Sequence, residues 1–175
     1  MYSQKTNDTF SLKRKAIADK CDPEIKDLTS RFFDCDLLDI IDQKGTNDYN
    51  GIDCIIKEDI YLQIKNVEYM GFNTLTIPCD DYKKYTKLTE DKELYIFHSY
   101  YDKNNKNKVR QYVILKFSDL KKVKYNGKRK RATSNVVKDG TMFYWWYYKT
   151  IKNIILDKSD NIQLESILDM DECLI

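Results

Sequence analysis

Asp53, Gln63 and Lys65 are the residues of this chain whose types and spacing suit chemistry on a phosphodiester. A carboxylate offers hard anionic oxygen to a divalent cation and an amide offers a carbonyl oxygen. An ammonium can hold a water nucleophile or neutralise charge developing on phosphate. Alternate side chains of a strand share a face, so in Ile60-Tyr61-Leu62-Gln63-Ile64-Lys65 the polar pair Gln63 and Lys65 points one way while Leu62 and Ile64 point into a core. Ile52 to Lys57 reads as a second strand and Lys57-Glu58-Asp59 as the tight turn joining the two. Such a hairpin, polar on one face and apolar on the other, sets Asp53 beside Gln63 and Lys65.

At these residues the chain resembles the PD-(D/E)xK nuclease superfamily, the restriction-endonuclease-like fold that includes Holliday junction resolvases and many phage and repair nucleases. Gly51-Ile52-Asp53 matches the first element of its motif and Gln63-Ile64-Lys65 the second. Gln63 departs from the pattern, standing where the family usually has Asp or Glu, although a Gln variant is a recognised subgroup. The resemblance implies Mg²⁺- or Mn²⁺-dependent cleavage of DNA, with Asp53 as metal ligand, Gln63 as a ligand through its carbonyl oxygen and Lys65 as the catalytic lysine. It also implies an α/β (α+β) architecture, a mixed sheet flanked by helices. Losing one carboxylate calls for another acid, and members often place a Glu on the first helix facing the site.

Glu24 is the candidate for that acid. Asp22-Pro23-Glu24 reads as a helix start, with Asp22 as cap and Pro23 at the first helical position. An acidic residue in a first turn is also favourable through the helix dipole alone, so Glu24 has a purely structural reading beside the metal-ligating one. Asp48 is a second candidate, from Asn47-Asp48-Tyr49-Asn50-Gly51, whose composition is equally that of an ordinary turn. The Gln-x-Lys tripeptide alone says little in a lysine-rich chain; its strand context carries the resemblance.

A length of 175 residues fits a single domain able to bury a core without staples. With 42% hydrophobic residues, only two prolines and five glycines, the composition is that of a folded protein. The five cysteines, Cys21, Cys35, Cys54, Cys79 and Cys173, are widely spaced and form no C-x-x-C pair, which argues against a zinc site or a disulfide framework. Met1 to Phe10 lacks the apolar region of a signal peptide and is expected to fray, while Met142 to Tyr148 is too short to span a bilayer. These features lead to the expectation of an intracellular, cytoplasmic protein, nuclear if a eukaryotic host reads Lys128 to Arg131 as a localisation signal.

The net charge of +2 does not declare a polyanionic partner, but its distribution is uneven. Lys121, Lys122, Lys124, Lys128, Arg129, Lys130 and Arg131 lie in one stretch without an acidic residue, around a Tyr125-Asn126-Gly127 turn. Such a stretch could grip DNA phosphates in a salt-sensitive, sequence-independent way, or be a solvated basic loop. From about residue 157 to 175 the balance reverses, giving an acidic tail.

The pattern along the chain predicts a helix within Leu12 to Phe33, interrupted at Asp22-Pro23, and a strand over Leu37 to Ile41. The motif hairpin, Ile52 to Val67, follows. Next come a strand over Asn73 to Ile77 and a helix over Asp80 to Leu88 capped by Asp80. Glu93 to Tyr100 and Val109 to Phe117 then form an antiparallel hairpin around the polar loop Asp102 to Lys108. Lys138-Asp139-Gly140 reads as a turn, Thr141 to Tyr148 as an aromatic strand, core-forming more than base-stacking, and the segment with Ile151, Ile154 and Ile155 as helical. The sequence therefore leads to a metal-dependent DNA endonuclease. A catalytically silent nucleic-acid-binding or assembly protein that retains the fold is the alternative, kept open by Gln63. Cutting both strands of a duplex would favour a homodimer, although no heptad or other dimer signature is present.

Overall fold

A computed structural model describes residues 23–43, 52–69, 73–102, 104–130, 141–162 and 164. Asp22, Asp48, Gly51, Arg131, the turn at 138–140, the N-terminal ten residues and the tail beyond residue 164 lie outside the described residues. The chain builds a helix α1 over residues 23–33, a 3-10 turn Leu37–Asp39, and the strands β1 (Ile40–Asp42), β2 (Cys54–Ile56), β3 (Ile60–Glu68) and β4 (Thr74–Pro78). Then follow α2 (Cys79–Leu88), β5 (Glu93–Asp102), β6 (Asn105–Lys116), α3 (Phe117–Leu120), β7 (Gly127–Lys130), β8 (Met142–Tyr147), a 3-10 turn Lys152–Ile154 and β9 (Ile155–Lys158).

The strands form a six-stranded mixed sheet in the order β1-β2-β3-β5-β6-β9 and a three-stranded sheet in the order β4-β8-β7. β1, β2 and β3 are an antiparallel meander, whereas β3 and β5 run parallel, from Ile60 opposite Glu93 to Glu68 opposite Tyr101. Parallel neighbours need a crossover, and β4 with α2 provides it. The large sheet is covered on both faces. On one, Ile25, Leu28, Phe32 and Phe33 of α1 pack against Cys54, Ile56, Leu62, Phe97 and Ile114. On the other, Tyr85 of α2, Leu75 and Ile77 of β4, Trp146 of β8 and Phe117 and Leu120 of α3 enclose Leu94, Ile96, Val113 and Leu115. Each fully buried aliphatic side chain in these layers contributes about 1.5–3 kcal/mol relative to exposure. The face of the motif hairpin that carries its polar side chains is covered by a crossover helix and a second sheet.

Several local expectations are revised. The strand expected over Leu37 to Ile41 is a 3-10 turn leading into β1, with Leu37 and Leu38 exposed rather than core-facing. α2 begins at Cys79 after Pro78, so Asp80 sits in the first turn beside Asp81 instead of capping it. There both negative charges suit the helix N-terminus. The end of the basic stretch is the edge strand β7, and the segment after β8 gives only a 3-10 turn before β9. β9 carries Asp157, at the start of the expected acidic tail, into the large sheet, where it accepts a hydrogen bond from the Tyr112 hydroxyl (3.1 Å). No helix among the described residues is long and apolar enough to cross a membrane.

The turn between β2 and β3 holds two consecutive residues in the left-handed region, Lys57 at φ 48° and Glu58 at φ 68°. This handedness matches the twist of a hairpin but costs a non-glycine residue roughly 1–2 kcal/mol. Lys57 offsets part of that cost, because its ammonium donates to the Asp34 (2.9 Å) and Phe33 (3.4 Å) carbonyls at the C-terminus of α1. Glu58 is exposed. Glu58→Gly is therefore expected to raise unfolding stability by roughly 0.5–1 kcal/mol, net of the added freedom of the unfolded chain. Lys57→Gly gives up the helix cap and should not. Denaturant midpoints of the two variants check this, and a loss of stability in Glu58→Gly would refute it.

Candidate active site

The hairpin brings Asp53, Gln63 and Lys65 together on the face that α2 covers. β2 pairs with β3 through Cys54 opposite Leu62, and its ladder stops there, with a bend at Asp53. Ile64 then has an amide that the β2 ladder no longer reaches, and the Asp53 carboxylate accepts it: Ile64 N–H donates to Oδ2 at 2.8 Å. The same oxygen accepts from Gln63 Nε2 in a short contact. The backbone carbonyl of Asp53 accepts from Gln43 N–H (2.9 Å), so the residue is tied to chain on both sides. Both side chains are nearly inaccessible, Asp53 at 6% and Gln63 at 5% exposure, values that place these polar groups in the interior.

Gln63 turns its amide nitrogen to Asp53 and to the Ile64 carbonyl (3.3 Å). Its Oε1 is buried with no hydrogen-bond partner. An interior acceptor left this way costs on the order of 1–3 kcal/mol, so the position wants a donor or a cation. Two residues along, Lys65 shares the face. Its Nζ forms an ion pair with Asp81 Oδ2 at 3.0 Å, and it lies 5.9 Å from the centre of the Tyr85 ring. Both partners come from α2. Asp81 is the residue that sequence reading missed. The available signal was that a helix joining two parallel strands must lie over them, which puts the acidic first turn of α2 above β3.

His98 stands directly opposite Lys65 across the β3–β5 pair. It is completely buried, and its Nδ1 is 2.7 Å from the Tyr148 hydroxyl. Burial first, and the nearby charge of Lys65 second, press its pKa down from 6.5 to about 3, so the imidazole is neutral. Tyr148 and Tyr100, whose rings meet the imidazole edge-on, have hydroxyl pKa values raised by burial and remain protonated.

Glu24 does not join this group. It lies on α1, which packs against the opposite face of the large sheet, and its Oε2 accepts from Val109 N–H of β6 (2.8 Å). The carboxylate satisfies a strand amide in place of the expected metal-ligating role. Asp48 lies outside the described residues. Among the described residues, no three His, Cys, Asp or Glu side chains converge as a metal-binding group. Asp53 and Gln63 are nevertheless a hard-oxygen pair, and the unpaired buried Oε1 fits a divalent cation.

Only the end of the basic stretch lies in a regular element. Lys122 pairs with Asp119 (2.8 Å) behind α3, while Lys121 is half-buried and Lys124 exposed. Lys128 and Arg129 lie on β7, with Lys128 Nζ 5.1 Å from the Tyr144 ring centre and Arg129 Cζ 5.8 Å from that of Trp145. Lys130 ends the strand. Lys128 and Arg129 flank aromatic rings of β8, whereas Lys121, Lys122 and Lys124 lie in irregular chain before the strand. No family model, curated protein or solved structure matches this chain.

The depressed pKa of His98 has a consequence with a definite sign. Below about pH 6.5 the unfolded chain takes up a proton that the folded chain refuses until about pH 3. Its contribution is complete above pH 6.5 and is lost as pH falls through this window, by up to about 1.4 kcal/mol per pH unit. His98→Gln should flatten the dependence of unfolding free energy on pH between 6.5 and 5.5, where carboxylates stay ionised. Denaturant titrations across that interval measure the slope, and an unchanged slope would contradict the assignment.

Proposed function

We propose that this chain is a Mg²⁺- or Mn²⁺-dependent endonuclease of the PD-(D/E)xK type that hydrolyses DNA phosphodiesters. The observation that carries the reading is the contact between Asp53, just before β2, and Gln63 of β3, whose buried carbonyl oxygen is unpaired, with Lys65 two residues further along the same strand face. The order of elements supports it. A helix, an antiparallel group of strands, a helix and a further strand parallel to β3 fit the core that the motif implies.

Asp53 and Gln63 Oε1 are the groups that would hold the cation. When bound, the cation supplies positive charge against the developing phosphorane-like state and lowers the pKa of water. Lys65 is on the same strand face, where its ammonium can orient a water for in-line attack and neutralise charge on a non-bridging phosphate oxygen. Asp81 acts through Lys65 as a positioning residue, fixing the long side chain by an ion pair. Neutral His98 beside it adds no competing positive charge. The cations of β7 would hold phosphate backbone without reading sequence.

A second reading, a nucleic-acid-binding protein that keeps the fold without the chemistry, draws on one feature of the same site. Asp53 and Lys65 already have partners inside the protein, Gln63 with the Ile64 amide and Asp81 respectively. Supercoiled plasmid and labelled single-stranded, duplex and branched oligonucleotides, incubated with Mg²⁺, Mn²⁺ or chelator, separate the two. For the nuclease, cutting requires metal and falls at least about a hundredfold in both Asp53→Asn and Lys65→Ala. In Asp81→Asn, cutting falls about tenfold, with retained folding and DNA affinity. Asp53→Asn cutting at the wild-type rate would end the nuclease reading. Chelator-insensitive binding without any cutting would establish the silent one.

A further inference from the structure

The three-stranded sheet has an outer face whose aromatic residues the nuclease reading leaves without a role. Along β8, Tyr144 and Trp146 turn inward: Trp146 is fully buried, opposite Leu75, and Tyr144 packs at the margin of the same core, opposite Ile77. The alternate residues Phe143, Trp145 and Tyr147 are half-buried and belong to neither hydrophobic cluster. They form a row on the opposite face, aligned with Pro78, Thr76 and Thr74 of β4 and, for Phe143 and Trp145, with Arg129 and Gly127 of β7.

Two features mark this row as more than incidental exposure. First, the backbone makes room for Trp145: a Cβ at Gly127 would come within 2.9 Å of the indole nitrogen, so the residue beneath the ring must be glycine or the ring must shift. Second, the charged residues of β7 are all cations and β8 carries no charge. Neither β7 nor β8, nor the flanking segments Lys121–Asn126 and Tyr148–Leu156, contains an Asp or Glu, in a chain that otherwise balances its charges. Arg129 lies 5.8 Å from the Trp145 ring centre and Lys149 5.6 Å from that of Tyr147. The Arg129 contact is near the outer limit of a cation–π interaction, so little energy ties that cation to its ring.

We infer that the outer face of the β4-β8-β7 sheet, with Trp145 at its centre and Arg129 and Lys149 beside it, is a stacking platform for single-stranded nucleic acid. Aromatic rings offer π-faces to any base, and the flanking cations meet the phosphates. The Trp145 and Tyr147 rings meet edge-on, their centres 4.9 Å apart and their planes at 86°. Splayed bases of a single strand can turn to meet rings set at right angles, whereas the parallel stacked bases of a duplex cannot. The platform is separate from Asp53 and its neighbours, so it would serve either the nuclease or the silent binder.

The test uses the full chain carrying Asp53→Asn, with chelator present, so that cleavage plays no part. Its probes are a labelled oligothymidylate, the ribo-oligonucleotide of the same length and a duplex. The platform predicts tighter binding of a single strand than of the duplex, with quenching of tryptophan emission. Trp145→Leu should weaken binding about tenfold, whereas Trp145→Phe keeps most of it. Arg129→Gln combined with Lys149→Gln should flatten the salt dependence. The emission of buried Trp146 reports whether each variant is folded. Preference between the deoxy and ribo strands identifies which nucleic acid the platform takes. Equal affinity of folded Trp145→Leu and the Asp53→Asn parent, or a duplex bound as tightly as the single strands, would overturn the proposal. Neither outcome would touch the metal-dependent chemistry assigned to Asp53.

Discussion

The buried carboxylate of Asp53 is the constraint around which the centre of this fold is arranged. A carboxyl group at 6% exposure is costly unless it is hydrogen-bonded, and here a strand amide and a side-chain amide both donate to its Oδ2. The first of these bonds stands in for a ladder bond where β2 bends away, so the hairpin's geometry and the satisfaction of Asp53 are one requirement. The second bears on the identity of residue 63. A carboxylate there would set two anions in contact inside the protein, and one of them would have to take up a proton or a cation. Glutamine avoids that repulsion by donating a hydrogen bond, at the cost of leaving its own carbonyl oxygen unpaired.

The same constraint extends outward through the parallel pair. Joining β3 to β5 in parallel forces the chain across the face that carries Gln63 and Lys65, and α2 is the segment that crosses it. Closing that face would strand the Lys65 ammonium, so α2 brings Asp81 to meet it and the Tyr85 ring beside it. The ion pair keeps partial solvent contact, with side chains 21% and 29% exposed, so its worth lies in direction more than in stability, at about 1 kcal/mol or less. Behind Lys65, the burial that leaves His98 neutral spares the core a second positive charge.

Much of this was legible in the sequence where local periodicity governs. The alternation Leu62, Gln63, Ile64, Lys65 gave the strand, Lys57-Glu58-Asp59 gave the turn, and the polar run from Asp102 gave the β5–β6 hairpin. Readings failed where partners distant in sequence decide. Glu24 sits in a helical first turn as its sequence suggests, but only the packing of α1 on one sheet face determines that it meets Val109 rather than Asp53. The role of Asp81 depends on the crossover path. β7 and β9 are short edge strands whose residues, Gly127 to Lys130 and Ile155 to Lys158, carry little intrinsic strand signal and are held by their neighbours.

β7 also separates two explanations of the basic stretch. Lysines and arginines on an edge strand discourage pairing with other chains, and Lys128 and Arg129 fit that protective role without any ligand. Edge protection does not explain β8, the middle strand of its sheet, whose backbone groups are paired on both sides. A middle strand exposed on one face is ordinarily polar on that face, since apolar area there gains nothing from the core. Phe143, Trp145 and Tyr147 reverse that rule, and Gly127 leaves room for the largest of them. The cations can therefore be read as protection alone, but the aromatic row beside them cannot, and it is the combination that points to a ligand with both π-faces and negative charge.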